Sequence, residues 1–289
     1  MPKYAIIGAA GQLGRDLAPR LPGDVVALSR AQADLTQHNV LRAVLADLQP
    51  TVVLNCAAYN FVDRAESDPD AAFAVNAWGV RSLATICRDL DCTLVHFSSD
   101  YVFGLDPGRT SPYQEIDAPG PLSVYGLSKL AGEYLVRTIC PRHIIIRTCG
   151  LYGVHGSGGK GGNFVETMLR LAQQGRPIRV VNDQVCTPSY AADVAEATAQ
   201  LVATGYHGLY HRTNADICTW HEFARAIFEL AGVKADLTPI TSREYGAAAR
   251  RPAYSVLASR LAPMRPWRAA LAAYMKERQT ARALPAKDA

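Results

Sequence analysis

The chain has 289 residues, 49% of them hydrophobic and 19% charged, with a formal net charge of +4. That length and apolar content suffice for one or two domains with a full core, and they exclude a disordered, fibrous or low-complexity chain. No apolar run approaches the ~18 residues of a membrane helix, and no basic run with interleaved aromatics, zinc finger or RNP-type motif points to nucleic acid.

Strand-like apolar runs fall at residues 4–8, 24–28, 51–55, 93–99 and 143–149. Helix-period segments separate them at 12–21, 36–48, 70–90 and 124–140, with stops at Pro22-Gly23, Pro50 and Pro141. Such alternation predicts an α/β fold, a doubly wound parallel sheet with helices on both faces. Past residue 150 the pattern loosens. Six glycines occupy Gly153 to Gly162, and a helix at 164–174, a strand at 179–181, a helix at 190–203, a strand at 208–213 and a helix at 220–230 are expected after them. Pro/Arg-rich loops run on to Pro266, and residues after about 279 are expected to fray. Residues 151–289 thus read mainly as a smaller C-terminal substrate-binding lobe over the carboxyl edge of the sheet, with segments near 185–213 returning to the first domain.

Charge is unevenly placed. Residues 240–289 hold ten Lys/Arg against three acidic residues, a local +7, which suits an anionic ligand or a solvated tail. The seven cysteines are odd in number, lack a C-x-x-C pair and sit largely in apolar runs, as reduced buried thiols do. Arg15 and Asp16 interrupt the N-terminal apolar stretch before a signal peptide could be completed, so a cytoplasmic location is expected. His207 and His211 lie on a strand-like segment with no carboxylate motif nearby, and no metal site is expected.

Three local patterns carry chemistry. Gly8-Ala9-Ala10-Gly11-Gln12-Leu13-Gly14 closes the first strand and opens the first helix. Glycines there permit a tight turn and close backbone approach to a pyrophosphate, so residues 1–150 are expected to form an NAD(P)-binding Rossmann domain with Gly8, Gly11, Gln12, Leu13 and Gly14 at the cofactor. The second glycine-rich loop is not a P-loop, because Gly161 follows Lys160 and Val154 stands where Gly is required. At the end of the second strand an acidic residue would bind the ribose 2′-OH of NAD. Ser29-Arg30 stands there instead and favours NADPH, with NADH still possible, while Asp34 and Leu35 can reach the adenine. Last, Ser99 ends the fourth strand, and Tyr125 and Lys129 lie one turn apart on a helix. An ammonium beside a phenol is expected to draw its pKa down from ~10 toward neutrality, and a serine hydroxyl can bond the same carbonyl oxygen.

More discriminating strings surround these patterns. They are Asn55-Cys56-Ala57-Ala58-Tyr59 with Val62-Asp63-Arg64-Ala65-Glu66, His96-Phe97-Ser98-Ser99-Asp100-Tyr101-Val102-Phe103, and Gly162-Asn163-Phe164-Val165. Val181-Asn182-Asp183-Gln184, Thr187-Pro188-Ser189-Tyr190, Arg251-Pro252 and Tyr254-Ser255 complete the set. Over residues 3–275 the chain resembles the extended short-chain dehydrogenases/reductases, and within them the dTDP-4-dehydrorhamnose reductase family. The resemblance implies NAD(P)H-dependent reduction of the C4 ketone of a nucleotide-linked 4-keto-6-deoxy sugar, with Ser99, Tyr125 and Lys129 catalytic. It also implies Ala57, Ala58, Tyr59 and Asn76 near the cofactor, Asp100 and Tyr101 bordering the sugar, and Asn163, Gln184 and Arg251 on the nucleotide-sugar side. A homodimer is compatible with it. One departure stands out: after Ile146-Arg147-Thr148 the family commonly has Ser-Trp, whereas here Cys149-Gly150 either enlarges the sugar pocket or is compensated by a neighbour.

Two other readings stay open at this level. A nucleotide-sugar epimerase or dehydratase would use the same fold, and Asp100 beside Ser99 suits a dehydratase. A non-catalytic dinucleotide-binding regulatory subunit, like that of methionine adenosyltransferase, is disfavoured by intact Ser99, Tyr125 and Lys129.

Overall fold

Alternation along β1 (Lys3–Ile7) sets the layering. Tyr4 and Ile6 face one core, and Ala5 and Ile7 face another on the opposite side of the sheet. The computed structural model describes residues 1–156 and 162–283. After β1 come α1 (Gln12–Leu17), β2 (Asp24–Leu28), α2 (His38–Leu48), β3 (Val52–Asn55), α3 (Val62–Ser67), α4 (Pro69–Phe73), α5 (Val80–Asp89), β4 (Thr93–Ser99), α6 (Val124–Ile139) and β5 (His143–Thr148). The second half adds β6 (Leu151–Tyr152), α7 (Phe164–Gln173), β7 (Ile178–Val181), β8 (Val185–Cys186), β9 (Ser189–Tyr190) and α8 (Ala191–Ala203). Then follow β10 (Gly208–His211), β11 (Cys218–Thr219), α9 (Trp220–Ala231), β12 (Leu237–Ile240), α10 (Ser242–Tyr245) and α11 (Trp267–Ala283).

Six strands form one sheet in the order β2-β1-β3-β4-β5-β10, every neighbouring pair parallel. Leu13, Leu17, Val194 and Ala195 of α1 and α8 cover the Tyr4/Ile6 face. Leu41, Leu45, Leu83 and Val136 of α2, α5 and α6 cover the other, which is the doubly wound Rossmann arrangement expected from the alternation. Strand order reverses between β1 and β3, so their connections leave in opposite directions and a crevice opens at their carboxyl ends. A separate core joins Val165 and Leu169 of α7, Phe223 and Ile227 of α9, and Trp267, Leu271 and Tyr274 of α11 beyond that edge.

The segment at 70–90 is not one helix. It is α4, then a π-helical turn over Ala74–Gly79, then α5. Asn76 lies in this turn and makes side-chain bonds to both the chain after β3 and α6, a local demand that regular α-helical spacing does not meet. The helix expected over 12–21 stops at Leu17 and tightens into a 3-10 turn, Ala18–Arg20, at Pro19. The chain after Pro266 forms α11, whose buried Trp267, Leu271, Tyr274 and Met275 dock it on the C-terminal core. Residues 284–289, and the Gly159-Lys160-Gly161 stretch weighed against a P-loop, lie outside the described residues.

Much of the C-terminal positive charge is used internally. Arg251 pairs with Asp63 (2.8 Å), Arg265 with Asp193 (2.5 Å), Arg268 with Glu229 (3.1 Å) and Arg278 with Glu166 (2.5 Å). All seven cysteines are free. No helix among the described residues is long and apolar enough to cross a membrane.

Among the described residues, the Arg147–Glu133 ion pair is fully buried. Arg147 of β5 donates Nε and Nη2 to the Glu133 carboxylate of α6 at 2.9 and 2.7 Å, with side-chain exposures of 2% and 1%. Burying two ions costs several kcal/mol each unless they pair, so removing one partner exposes that penalty. Glu133→Gln is expected to destabilise the protein by about 3–5 kcal/mol. Chemical denaturation of both forms measures it, and a change under 1 kcal/mol would show that the pair is energetically idle.

Candidate active site

The crevice at the strand reversal is lined first by the turn after β1. Gly8 has φ +73°, a conformation that favours glycine, and a Cβ there would lie 2.8 Å from the Ala57 backbone nitrogen across the crevice. Gly14 is equally constrained: its Cβ would meet Ala9 Cα at 2.7 Å. The Gly11 amide donates to the Gly8 carbonyl (3.0 Å), which closes the turn before Gln12 and Leu13 begin α1. This glycine cradle, which any side chain would fill, suits the pyrophosphate of a dinucleotide.

The end of β2 supplies the outer wall. Ser29 donates its amide and hydroxyl to Gln32 Oε1, and the largely exposed Arg30 donates Nε to Asp34 Oδ2 at 2.8 Å. Asp34 also accepts from the amide and hydroxyl of Thr36. Partial burial pushes its carboxyl up, but the Arg30 and Thr36 hydrogen bonds outweigh that and hold it below the usual range. Leu35 is buried beside Gly79.

Across the crevice, Asn55 Oδ1 accepts from the Ala57 amide (3.2 Å), and Asn55 Nδ2 meets His96 Nδ1 (3.1 Å). Asn76 takes the Tyr59 amide on Oδ1 (2.9 Å) and gives Nδ2 to the Tyr59 carbonyl (3.0 Å) and Ser128 Oγ (3.0 Å). It therefore ties the Ala57-Ala58-Tyr59 segment to the helix that carries Tyr125 and Lys129. That helix approaches very closely: a Cβ on Gly126 would lie 2.2 Å from the Tyr101 carbonyl, and one on Gly132 2.3 Å from the Asn76 carbonyl.

Ser99, Tyr125 and Lys129 come together at this edge. Lys129 is 2% exposed and donates Nζ to the Phe97 carbonyl at 2.7 Å. Burial lowers its pKa to about 8, against an opposing pull from Glu133. The expected lowering of the Tyr125 pKa is not found. Burial pushes the phenol up to about 12 and the Asp100 charge adds to it, with the Ser99 hydroxyl opposing. Desolvation of a phenolate outweighs the favourable partner here. Tyr101 packs edge-on to Tyr125, with ring centroids 6.0 Å apart.

Asp100 is buried behind Ser99. Its carboxylate accepts from Ser99 Oγ (3.1 Å) and Ser255 Oγ (2.6 Å), and Cys149 also bonds to it. Arg251 lies toward the rim, 2.8 and 3.0 Å from the two Asp63 oxygens, beside Phe61 and Arg64. Gln184 stands in the C-terminal lobe, bonded to Ser242 Oγ (2.8 Å). Asn163 stands beside the glycine turn. Its Nδ2 bonds the Gly153 carbonyl (2.8 Å) and Gln12 Oε1 (3.4 Å), and its Oδ1 caps α7. Among the described residues no cluster of three or more His, Cys, Asp or Glu could hold a metal ion, and His211 Nδ1 faces the Ala258 and Tyr113 carbonyls.

Ser255, Asp63 and Trp220 were not singled out from the sequence as site residues. Ser255 lies 155 positions from Asp100 and shares no local pattern with it. Trp220 lies against Gly150: its indole carbon Cη2 is 2.9 Å from where a Gly150 Cβ would stand. Trp220 in turn packs on Phe164 with centroids 4.8 Å apart.

A Rossmann sheet, a glycine cradle at its strand reversal and a Ser-Tyr-Lys set on β4 and α6 define an extended short-chain dehydrogenase/reductase. Comparison with known proteins narrows that class: the model of the RmlD substrate binding domain family matches residues 3–280, and the chain belongs to that family. It is 40% identical to the spore coat polysaccharide biosynthesis protein SpsK of Bacillus subtilis, over 97% of this chain and 99% of that one. It is 41% identical to a dTDP-4-dehydrorhamnose reductase of Streptomyces griseus, over 93% and 92% of the two chains. A crystal structure of dTDP-4-dehydrorhamnose reductase from Bacillus anthracis in complex with NADP superposes with a TM-score of 0.90 at 35% identity, covering 96% of this chain and 99% of that one.

Gly150 has φ +50°, and Trp220 and Pro188 crowd it. Gly150→Trp is therefore expected to lower the melting temperature by several degrees. An unchanged melting curve would mean that Trp220 swings aside freely.

Proposed function

We propose that this protein reduces the C4 ketone of a nucleotide-linked 4-keto-6-deoxy sugar with NADPH, converting dTDP-4-dehydro-L-rhamnose to dTDP-L-rhamnose. The observation that carries this reading is the convergence of Ser99, Tyr125 and Lys129 beside the glycine cradle. The identities with named reductases, and the NADP in the B. anthracis relative, support it. We further propose that residues 1–150, with the 185–213 segments, hold the cofactor and that residues 151–289 hold mainly the sugar nucleotide.

In this reading Gly8, Gly11, Gln12, Leu13 and Gly14 would hold the pyrophosphate, Ser29 and Arg30 the 2′-phosphate, Asp34 and Leu35 the adenine side, and Ala57, Ala58, Tyr59 and Asn76 the inner face. When bound, NADPH supplies the hydride. Tyr125 supplies the proton: a phenol near pKa 12 stays protonated at neutral pH and is a ready donor to an oxygen gaining negative charge. Lys129 spends one donor on Phe97 and keeps two for the nicotinamide ribose. Arg251, held by Asp63 at the rim, would meet the substrate diphosphate. Free thiols support a cytoplasmic setting, and exposed Trp78, Leu127 and Tyr134 support a homodimer.

The test is steady-state NADPH oxidation with nucleotide 4-keto sugars. Tyr125→Phe is expected to cut kcat by ~10²–10⁴ with cofactor affinity nearly unchanged, since only the proton donor is lost. Lys129→Met should weaken both. Near-normal turnover by Tyr125→Phe would overturn the mechanism, and wild type that binds NADPH but turns over no such sugar would favour the regulatory-subunit reading.

Cofactor binding should also depend on pH. With a pKa of about 8, Lys129 carries its charge below that pH and loses it above, so NADPH affinity should fall as pH rises from 7 to 9. In Lys129→Met that slope should vanish. Titration by protein fluorescence measures both.

Replacing Arg30 by Asp removes the cation proposed for the 2′-phosphate and sets a second carboxylate beside Asp34. Preference, as the ratio of kcat/KM values, is expected to move toward NADH by about fivefold or more. A wild type that already prefers NADH would contradict the assignment.

A further inference from the structure

Ser99 has one hydroxyl hydrogen and several claimants on it. Its oxygen accepts the Tyr101 amide at 3.1 Å, and the hydroxyl faces Asp100 Oδ1 at 3.1 Å on one side and the Tyr125 phenol on the other. While Asp100 is a carboxylate it can only accept, so the Ser99 hydrogen must point at it and away from the reacting oxygen. Once Asp100 is a carboxylic acid it donates to Ser99, which frees the Ser99 hydrogen to point at Tyr125 or the ketone. The charge on Asp100 thereby sets the direction of the row Asp100, Ser99, Tyr125.

We propose that Asp100 is a buried proton store, held in place by Ser255, that recharges Tyr125 through Ser99 after each reduction. This rests on the reading of Ser99 and Tyr125 given above. Asp100 is 2% exposed and Ser255 3%, and the 2.6 Å bond between them joins the end of β4 to the segment that follows Arg251-Pro252. Every step balances. Hydride adds to the carbonyl carbon, and the π pair of the ketone takes the Tyr125 proton to form the new O–H bond. The Ser99 hydrogen then passes to the phenolate, and the Asp100 carboxyl proton passes to Ser99. Asp100, now a carboxylate, regains a proton from water as product leaves.

The surroundings suit a carboxyl that keeps its proton to higher pH than usual. Burial pushes Asp100 up, while hydrogen bonds from Ser255, Cys149 and Ser99 pull back. The groups facing it are Tyr125 from α6, Cys149 from the end of β5 with Cys186 behind it, Ser255, and Tyr101 with Arg251 beyond. Tyr101 is held protonated chiefly by burial, so it does not compete as a base.

The experiment measures kcat against pH at saturating NADPH and nucleotide 4-keto sugar for wild type, Asp100→Asn, Ser255→Ala and Tyr125→Phe, with cofactor Kd for each. In wild type kcat should fall as pH rises through the Asp100 ionisation. Ser255→Ala removes a donor to the carboxylate, which raises its pKa, so that limb should move to higher pH. Asp100→Asn should lose the limb and about tenfold or more in kcat, with KM and cofactor Kd within threefold. If Asp100→Asn does not bind NADPH and is therefore misfolded, the direction of the Ser255→Ala shift decides alone. Asp100→Asn with wild-type kcat and limb, or a limb unmoved in Ser255→Ala, overturns the proton store while an inactive Tyr125→Phe leaves the site intact. An active Tyr125→Phe would instead overturn the underlying reading of the site.

Discussion

The buried pair between Arg147 and Glu133 is the contact on which the arrangement of the site depends. It bolts α6 to β5, and Lys129 lies one helical turn from Glu133, with Tyr125 one turn further along the same face. Glu133 also keeps a negative charge near Lys129, offsetting part of the burial that would otherwise strip its proton. Arg147 reaches further still. Its guanidinium lies over the Phe103 ring (4.9 Å) and Nη1 is 3.4 Å from His211 of the edge strand. His211 in turn faces the Ala258 carbonyl, so sheet edge, helix and C-terminal segment meet at one buried cation.

The carboxyl edge works by crowding. Backbone from β1, β3, β4 and α6 converges there, and Gly8, Gly126 and Gly132 stand where any side chain would collide with a neighbouring main chain. Converging backbone brings polar groups into low dielectric, and each needs a partner. Asn55 and Asn76 supply those partners for the Ala57-Ala58-Tyr59 segment. The π-helical turn delivers Asn76 to that place, at the cost of regular helix spacing. The C-terminal arginines complete the enclosure by pairing with acids spread from Asp63 to Glu229, which turns a local charge excess into long-range clamps.

What was legible in the sequence was local. The glycine turn, the Tyr125/Lys129 spacing and the alternation of strands and helices are written within a few residues each, and the sheet and the site edge follow from them. Contacts across long separations were not legible. Nothing near Asp100 announces Ser255, and nothing near Gly150 announces Trp220, because both meetings are made by the way the C-terminal chain folds back. The bond from Asn163 to Gln12 was not legible either, because the two residues lie 151 positions apart. The Tyr125 pKa failed differently. Spacing shows which charge lies near a phenol, whereas burial depends on everything packed around it, and burial is the larger influence.

That outcome bears on the direction of the proposed chemistry. Oxidation of an alcohol needs a phenolate to take a proton, so it gains from a low phenol pKa at neutral pH. Reduction needs a proton given at the moment an oxygen turns negative, so it gains from a phenol that is always protonated. A buried Tyr125 near 12, with a second carboxyl behind it whose ionisation is also pushed up, is a site biased to hold protons rather than accept them. The same desolvation that lowers Lys129 to about 8 raises both acids, because burial disfavours charge of either sign. A single property, burial at the end of β4, thus tilts all three groups toward their uncharged forms, and for the two acids that is the form with a proton to give.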